Sequence, residues 1–194
     1  MVTALLNDEP GPFTVADWHA LPERDDGTRL ELLGGHWLVS PPPGGPHQWA
    51  TLQLLVRLRD ALRDAERADL YPIGGVGVEI STARRTALIP DFAVLCCAPD
   101  KSSFVPGDLV LAGEIWSPGN TFSEQRAKHD AYASAGVEYF WSIAQDHRGP
   151  VELIAYRLHD GGYHVESTAD VREGAVTITA SPVPVDVNVA ALRP

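Results

Sequence analysis

Three charged residues in the middle of the chain, Asp91, Glu114 and Lys128, are of the types that together hydrolyse a phosphodiester bond. Two carboxylates on neighbouring strands can hold Mg²⁺ through hard oxygen ligands. A cation beside them can position the attacking water, lower its pKa and stabilise the charge that develops on phosphorus. The order acid, acid, cation over two strands and the next helix therefore predicts a metal-dependent phosphodiesterase site.

Each of these residues also has an ordinary structural explanation. Asp91 follows a proline at the start of an apolar strand, where an aspartate commonly forms a turn or a cap. Glu114 lies inside an apolar strand, where a carboxylate is costly unless it is paired or metal-bound. Lys128 shares one predicted helix face with Glu124 and Tyr132, so a solvated Glu124–Lys128 ion pair is the alternative. For Asp91 or Lys128 alone the structural explanation is favoured, while for Glu114 a functional role is at least as well supported as a structural salt bridge. The three residues taken together favour catalysis.

The elements that position these residues follow from the apolar pattern and the turns. Thr14 is expected to cap a short helix over about residues 15–21. Two apolar-rich runs flank Gly34 and Gly35, which is typical of a tight β-hairpin. The longest helix is expected over about 46–68, with charges on the face opposite its apolar stripe. The residues assigned to that stripe are Leu52, Leu55, Val56, Leu58 and Leu62.

The second half of the chain reads mainly as strands. One strand is expected over 71–81, and two almost wholly apolar strands, LIPDFAVLCC and DLVLAGEIWS, are expected to be central. A helix ending at Gly136 leads to the strand VEYFWSIA, so residues 109–143 should form a right-handed parallel crossover. A hairpin and one or two short edge strands follow, over about 151–190.

This order predicts an α/β fold with a central mixed β-sheet flanked by helices and extended by extra hairpins. The length of 194 residues suits a single domain over residues 1–194. No apolar run is long enough to span a bilayer, and the N-terminal segment lacks the basic start of a signal peptide. We therefore expect a cytoplasmic protein that does not enter a membrane.

The charge and the cysteines restrict the function further. The formal net charge of -11 counts against a broad basic surface for nucleic acid, although a local basic rim or bound metal ions remain compatible with it. The chain has only two lysines, Lys101 and Lys128, among 15 basic residues. Cys96 and Cys97 are adjacent, so we expect neither a disulfide between them nor a zinc site, but two buried apolar side chains.

Five segments, taken in order, resemble the Uma-two family of bacterial endonucleases, which is placed in the PD-(D/E)XK restriction-endonuclease-like superfamily. The segments are RLELLGGHWLV, SPPPGGPHQ, IPDFAVL, LVLAGEIWSPGN and EQRAKHDAYASAGVEYFWSI. They span residue 29 to about residue 143, which is most of the chain. The resemblance implies a restriction-endonuclease-like core over these residues.

The resemblance assigns roles to the three charged residues. Asp91 matches the aspartate of the PD motif, and Glu114 matches the second acid. In this family the lysine comes from the helix after the second acid, and Lys128 matches it, while Trp116 stands two residues after Glu114. The resemblance therefore implies that Asp91 and Glu114 hold Mg²⁺, with Mn²⁺ as a possible substitute, and that Lys128 assists the reaction.

Four further residues match supporting positions of the family. Glu31 matches an acidic residue near the metal, with an exposed strand position as the alternative. His47 and Gln48 match a pair at the start of the long helix, where helix N-termini favour anions, with a structural or capping role as the alternative. Glu124 replaces the aspartate that the family usually has, and the added methylene would reduce activity if this acid orients Lys128.

Two functions remain open on these grounds. The first is a Mg²⁺-dependent endonuclease that acts on nucleic acid, with DNA as the expected substrate. The second is a non-catalytic binding or assembly module that keeps the nuclease-like fold, which the net charge and Glu124 favour. The aromatic run EYFWSI and the following hairpin suggest an apolar surface between two copies. We therefore also expect a homodimer, the commonest form of oligomer.

Overall fold

The computed structural model describes residues 11–22 and 26–194. Three α-helices lie within these ranges: α1 (Val15–His19), α2 (Gly45–Asp64) and α3 (Phe122–Ser134). The strands of the described chain are β1 (Arg29–Leu33), β2 (His36–Ser40), β3 (Tyr71–Gly74), β4 (Gly77–Ser81), β5 (Thr86–Leu88), β6 (Phe92–Leu95), β7 (Ser103–Phe104), β8 (Leu109–Trp116), β9 (Tyr139–Asp146), β10 (Gly149–His159), β11 (Gly162–Asp170), β12 (Val176–Ile178) and β13 (Val185–Val187). Two short 3-10 turns lie at Pro106–Asp108 and Val189–Leu192.

The strands form two main sheets. One has five strands in the order β2-β1-β5-β4-β7, and the other has six in the order β11-β10-β9-β8-β6-β3. In the six-stranded sheet β8 and β9 are parallel, while the other neighbours are antiparallel. The fold is therefore the mixed α/β architecture that the order of elements predicts. The predicted edge strands β12 and β13 instead pair with each other in a separate two-stranded ladder.

The N-terminal elements form as predicted. Thr14 caps α1, and its side chain and that of Asp17 form a reciprocal capping box. The β1–β2 hairpin turns at Gly34 and Gly35, whose φ angles of 59° and 80° lie in the left-handed region that glycine adopts at low cost. This turn fixes the register of β1, and with it the positions of the charged residues on that strand.

Helix α2 is the longest described helix, but its buried stripe differs from the predicted one. Leu54, Leu58 and Leu62 follow one another at intervals of four residues and are buried, together with Ala50. Leu52 is 51% exposed, so its assignment to the buried face was wrong. The helical period places Leu52 about 200° around the axis from Leu54, on the far side of the helix.

Two predicted strands are each divided between the two sheets. The strand predicted over 71–81 breaks at Gly75, whose φ is 65°, so β3 joins the six-stranded sheet and β4 the five-stranded one. The strand predicted over 88–97 is also interrupted, at Pro90: its first residue, Leu88, ends β5 in the five-stranded sheet, and β6 of the six-stranded sheet begins at Phe92. Proline has no N–H for a ladder bond, which allows the chain to change sheets there. Asp91 lies at this second crossing.

Hydrophobic residues cover both faces of the six-stranded sheet. On one face, α2 and the C-terminal segment pack against side chains such as Phe92, Leu111 and Trp141. On the other face, the five-stranded sheet and α3 enclose a second cluster that includes Ala93, Ala112 and Tyr132. Asp91, directly before β6, is two residues from Ala93, and Glu114 on β8 is two residues from Ala112, so both carboxylates point to the α3 side of the sheet.

The crossover from β8 to β9 through α3 is parallel, as predicted, and Gly136 ends the helix with a φ of 82°. The aromatic residues of β9 that suggested a dimer surface are buried within the chain, with Tyr139 7% exposed and Phe140 and Trp141 less. They do not supply the apolar surface from which the dimer was expected.

The expected burial of the two cysteines was wrong for Cys96, which is exposed, while Cys97 is half-buried. Both thiols are free, as expected. Among the described residues, no helix is both long and apolar enough to cross a membrane.

Candidate active site

Most of the buried polar side chains of the described chain lie in one place. Seven polar or charged residues are buried among the described ones, and five of them meet between α3 and the two sheets. These five are Glu31, His47, Asp91, Glu114 and Lys128. Burying a charge is costly unless it is paired, so a cluster of this kind needs mutual compensation.

Asp91 is held at the crossing between the sheets by two hydrogen-bond donors and by a contact with His47. Its Oδ2 accepts a hydrogen bond of 2.8 Å from the backbone N–H of Ile115, and its Oδ1 accepts one from the guanidinium of Arg29. Nε2 of His47 lies 2.9 Å from Oδ1 as an ion-pair contact. Burial favours the neutral acid, but His47, Arg29 and the Ile115 N–H outweigh burial and hold the pKa of Asp91 below its ordinary value. Asp91 is therefore a carboxylate at neutral pH.

Lys128 lies between the other two acids. Its Nζ donates to both oxygens of Glu31, at 2.9 and 2.7 Å, and lies 3.5 and 3.3 Å from the oxygens of Glu114. Burial lowers the pKa of Lys128, but the Glu114 and Glu31 carboxylates outweigh it, so this pKa lies above its ordinary value. Lys128 is therefore a cation whose stronger partner is Glu31. Lys128 is ion-paired with Glu31 and Glu114, and not with Glu124, the partner considered as the alternative.

Glu114 is the less compensated of the two acids. Burial raises the pKa of Glu114 to about 8, the Lys128 cation opposes this shift, and the Glu31 carboxylate adds to it. The Tyr132 hydroxyl donates to its Oε1 at 2.9 Å. Burial also raises the pKa of Tyr132 well above its ordinary value, so this hydroxyl remains a donor at neutral pH.

Glu31 is buried, which excludes the exposed strand position considered as its alternative. Besides Lys128, its Oε1 accepts a hydrogen bond of 2.8 Å from the backbone N–H of Ile89, directly before the crossing at Pro90. Glu31 belongs to the five-stranded sheet, while Glu114 belongs to the six-stranded one. The Glu31–Lys128–Glu114 contacts therefore join the two sheets through α3.

Trp116 fills the position two residues after Glu114. Its indole N–H donates to Oγ of Ser142 at 2.8 Å, and Nζ of Lys128 lies 5.9 Å from the centre of its ring system. This distance allows a cation–π interaction, because the ring carries negative charge on its face. The lysine of the site comes from α3, as the resemblance implies, and the tryptophan packs beside it.

The remaining supporting residues divide between the site and its surroundings. His47 lies in the cluster, as described, but Gln48 is exposed and its amide donates to the backbone carbonyl of Pro43 at 2.7 Å. Gln48 therefore steadies the loop before α2 and lies outside the cluster. The carboxylate of Glu124 accepts a hydrogen bond of 2.8 Å from Nδ2 of Asn120. Glu124 thus organises the start of α3, and Lys128 is oriented by Glu31 and Glu114.

Arg29 was not identified from the sequence, although the pattern contains a signal for it. Residues two apart on a strand face the same side, and Arg29 precedes Glu31 by two on β1. Tyr132 was noted only as a residue that shares a helix face with Lys128. Tyr132 lies four residues after Lys128 on α3, so both side chains lie on the same face of this helix. The hydroxyl of Tyr132 donates to Glu114 on β8, the strand that precedes the helix.

The cluster forms the floor of a cleft of about 770 Å³. Its apolar walls include Leu38, Val39, Pro41, Pro42, Pro43, Ile89 and Pro118. Asn120, Thr121 and Glu124 line the side formed by the start of α3. A concave site in which charged side chains converge between partly apolar walls is a common form of a ligand or active site.

The acids of the cleft fit Mg²⁺ or Mn²⁺ by the chemistry of their donor atoms. Asp91 and Glu114 provide carboxylate oxygens, the hard ligands that these ions prefer. Among the described residues, no group of three or more histidine, cysteine, aspartate or glutamate side chains is arranged to hold a metal ion. Two carboxylates are sufficient for Mg²⁺, which keeps several waters and takes one or two protein carboxylates in many sites.

Comparisons with known proteins support the resemblance noted above. A family model described as "Uma2: Putative restriction endonuclease" matches residues 15–190. A crystal structure of "a putative nuclease belonging to DUF820 from Anabaena variabilis ATCC 29413" superposes with a TM-score of 0.68 at 16% sequence identity, covering 94% of each chain. At this identity the second similarity shows the fold. A comparison with curated proteins found no match.

Proposed function

This chain belongs to the Uma2 family, and on that premise we propose that it is a metal-dependent endonuclease acting on DNA. The observation that carries the proposal is the convergence of Asp91, Glu114 and Lys128 at the floor of one cleft. These residues come from a sheet crossing, a central strand and a helix, and none of the three is exposed. Such a cluster is a functional-site candidate because several buried charges meet in a cleft.

In the proposed site Asp91 and Glu114 hold Mg²⁺ or Mn²⁺, and Lys128 acts beside them. A bound ion would supply a Lewis acid to the phosphate and a nucleophilic water at neutral pH. Asp91 is suited to this role because it stays a carboxylate, while Glu114 must lose the proton that burial favours. Metal binding by this pair would therefore release protons near neutral pH.

Lys128 is proposed to stabilise charge in the transition state. Because the neighbouring carboxylates keep Lys128 protonated, it cannot accept the proton of the attacking water. Hydrolysis adds the water oxygen to phosphorus while the bond from phosphorus to the leaving oxygen breaks, so negative charge grows on the phosphate oxygens. The proton of the water must pass to a carboxylate or to solvent, and the cation of Lys128 offsets the new charge.

A second candidate function is a binding or assembly module that keeps the fold without catalysis. The observation that favours it is the internal compensation of the cluster. Lys128 is paired with Glu31 and Glu114, and Asp91 is paired with Arg29 and His47, all within the described chain. A site whose charges are already paired with one another stabilises the fold without a metal ion or a substrate.

Cleavage of supercoiled plasmid DNA in Mg²⁺ and in Mn²⁺ distinguishes the two functions. The matched variants are Lys128→Met and Lys101→Met, because Lys101 is an exposed lysine paired with Asp108 away from the cleft. The endonuclease proposal predicts metal-dependent nicking that Lys101→Met keeps and Lys128→Met loses, with both variants folded by circular dichroism. Asp91→Asn serves as a second test if Lys128→Met does not fold. Absence of cleavage in both metals would favour the binding module.

A further inference from the structure

We infer that Arg29 is a second cation of this site that binds the substrate. It competes with a metal ion for Asp91, and it passes to a phosphate of the DNA backbone when that ion is bound. The inference rests on the proposed function, which assigns the ion to Asp91 and Glu114. It goes further by giving Arg29 a role in the reaction and by coupling metal binding to substrate binding. The groups that surround Asp91 carry it.

The carboxylate of Asp91 has little acceptor capacity left for an ion. An ionised carboxylate offers about four lone-pair positions on its two oxygens. Oδ1 accepts from the guanidinium of Arg29 and lies 2.9 Å from Nε2 of His47, while Oδ2 accepts from the backbone N–H of Ile115 at 2.8 Å. A metal ion that shared this carboxylate with Arg29 would bring two cations close together, which Coulomb repulsion opposes. Arg29 and a metal ion therefore compete for Asp91.

Of these three groups around Asp91, Arg29 is the one that can leave. The N–H of Ile115 belongs to the backbone of the central strand β8, which the sheet holds in place. The side chain of His47 is 9% exposed and lies in the first turn of α2. The side chain of Arg29 is 26% exposed and lines the cleft. When Arg29 leaves, Asp91 keeps His47 and Ile115, so its charge is not left without partners in the interior.

Lys128 is less suited to meet an incoming phosphate. Its side chain is 5% exposed, and its Nζ lies between the carboxylates of Glu31 and Glu114. Arg29 is thus the more accessible of the arginine and lysine side chains in the described lining of the cleft. A guanidinium can bind a phosphate through two parallel N–H groups of fixed geometry, whereas an ammonium acts as a point charge. Arg29 released from Asp91 is therefore suited to hold a phosphate of the substrate.

This competition makes metal binding and substrate binding cooperative. While Arg29 contacts Asp91, its charge is already compensated, so a phosphate gains little from it. When Arg29 contacts a phosphate, it no longer opposes an ion at Asp91. Because such coupling is reciprocal, the substrate tightens the binding of the ion by the same factor by which the ion tightens the binding of the substrate. The chain is therefore expected to bind DNA firmly only together with the ion.

Calorimetric titration with Mn²⁺ tests the competition in Arg29→Gln, with Arg67→Gln as the matched control. Arg67 also pairs with an aspartate, Asp69, but it follows the far end of α2 and lies outside the described lining of the cleft. Both variants lose a positive charge, so any general gain in attraction for cations is common to them. Arg29→Gln should bind Mn²⁺ about fivefold more tightly than Arg67→Gln, because a cation that competes for Asp91 is removed.

A purely structural role of Arg29 gives the opposite result. If Arg29 served only to hold Asp91 in position, its loss would disorder the carboxylate and weaken the binding of Mn²⁺. Equal or weaker binding of Mn²⁺ by Arg29→Gln, compared with Arg67→Gln, therefore overturns the competition, as does a parent chain that binds no Mn²⁺. Arg29→Met, whose unbranched side chain carries no charge, takes the place of Arg29→Gln if that variant does not fold.

Fluorescence anisotropy with a labelled DNA duplex of about 12 base pairs tests the phosphate contact. The duplex is titrated in Ca²⁺, which takes oxygen ligands as Mg²⁺ does, and separately in EDTA. In Ca²⁺, Arg29→Gln should bind the duplex about fivefold more weakly than Arg67→Gln, because a phosphate contact is lost. In EDTA the two variants should bind alike, because Arg29 of the parent chain then stays on Asp91. Equal affinities or no binding in Ca²⁺, or the same difference in both conditions, overturns the passage of Arg29 to the phosphate.

The inference and the proposed function fail in different ways. If Arg29→Gln gains affinity for Mn²⁺ and loses affinity for DNA as expected, but the parent chain cleaves no DNA in Mg²⁺ or Mn²⁺, the endonuclease is contradicted and the inference stands. If the parent chain cleaves DNA, but Arg29→Gln neither gains affinity for Mn²⁺ nor loses affinity for DNA, the inference is contradicted and the endonuclease stands.

Discussion

Lys128 and Glu31 lie 97 positions apart in the chain, yet Nζ of Lys128 is 2.9 and 2.7 Å from the two carboxylate oxygens of Glu31. This contact is shorter than that between Lys128 and Glu114, although Glu114 is much closer in sequence. The proposed catalytic lysine is thus oriented first by the N-terminal hairpin. The hairpin therefore contributes to both the stability and the geometry of the site.

Removal of one member of this pair should destabilise the protein strongly. Glu31→Gln leaves the Lys128 ammonium with only the more distant Glu114, and loss of one partner of a buried ion pair costs about 3–5 kcal/mol. The free energy of unfolding, measured in urea, should fall by about this amount in Glu31→Gln.

A double-mutant cycle with Lys128→Met isolates the interaction. The double variant removes both charges, so it should recover part of the stability lost in each single variant. Additive losses in the double variant would show that Glu31 and Lys128 are not energetically coupled.

The stability of the protein should fall as the pH rises toward 8. The folded state raises the pKa of Glu114 from an ordinary 4.5 to about 8, so between these values the folded state binds more protons than the unfolded state. The contribution of this group is complete below about pH 4.5 and is lost as the pH rises through about 8. The melting temperature, measured between about pH 5 and about pH 9, should therefore decline in this window.

The control for the pH dependence is Glu114→Gln. Because glutamine does not titrate, the melting temperature of this variant should not decline between about pH 4.5 and about pH 8. Its plot of melting temperature against pH should therefore cross that of the parent chain. A parallel decline in Glu114→Gln would assign the pH dependence to other groups. The folded state lowers the pKa of Asp91 below its ordinary value of 3.8. Protonation of Asp91 at a pH below 3.8 should therefore destabilise both the parent chain and the variant.

Gly113 should not tolerate a side chain. It lies opposite Phe92 in the β6–β8 ladder, and a Cβ at this position would overlap the Phe92 ring, which is fully buried. Overpacking in a core costs about 1–3 kcal/mol, so Gly113→Ala should lower the free energy of unfolding by that amount. Phe92→Leu combined with Gly113→Ala should restore part of it, because the smaller side chain leaves room. A fully stable Gly113→Ala would contradict the packing described for these strands.

Mn²⁺ should stabilise the protein if Asp91 and Glu114 hold it. Ligand binding to the folded state at a hundred times the dissociation constant contributes about 2.7 kcal/mol, which is readily measured as a higher melting temperature. The stabilisation should grow as the pH rises toward 8, because Glu114 must be ionised to bind the ion. Glu114→Gln should abolish the effect, whereas Glu152→Gln, at an exposed position on β10, should keep it. An equal stabilisation in both variants would place the ion elsewhere.

The sequence predicts the residues of the site that are positioned by local structure. Asp91, Glu114 and Lys128 each belong to a strand start, a strand or a helix whose pattern is evident over about ten residues. Their roles in metal binding and catalysis stay predictions. The contact of Lys128 with Glu31 depends on how the hairpin packs against α3, which no local pattern encodes. The contact of Arg29 with Asp91 depends on how the same hairpin packs against the crossing at Pro90.

The sequence does not predict where the chain changes sheets. The run around Gly75 reads as one continuous strand and Pro90 reads as the start of a strand, and neither pattern indicates a change of sheet, because apolar residues of the same kind line both sheets. The breaks at these residues were visible only as a glycine and a proline within apolar runs. The exposure of Leu52 and Cys96 also depends on which neighbour covers each face, and this is decided by tertiary packing.

The ion pairs that join the two sheets through α3 also bear on how such a chain would evolve. Glu31, Glu114 and Lys128 hold the two sheets together through their ion pairs. A related chain that lost one of these residues would bury a charge without its partner. Selection for folding alone would therefore preserve the complete set after cleavage had ceased to matter. The earliest marks of a lost activity should be found at exposed positions of the cleft lining, such as Val39, where replacement carries little penalty for folding.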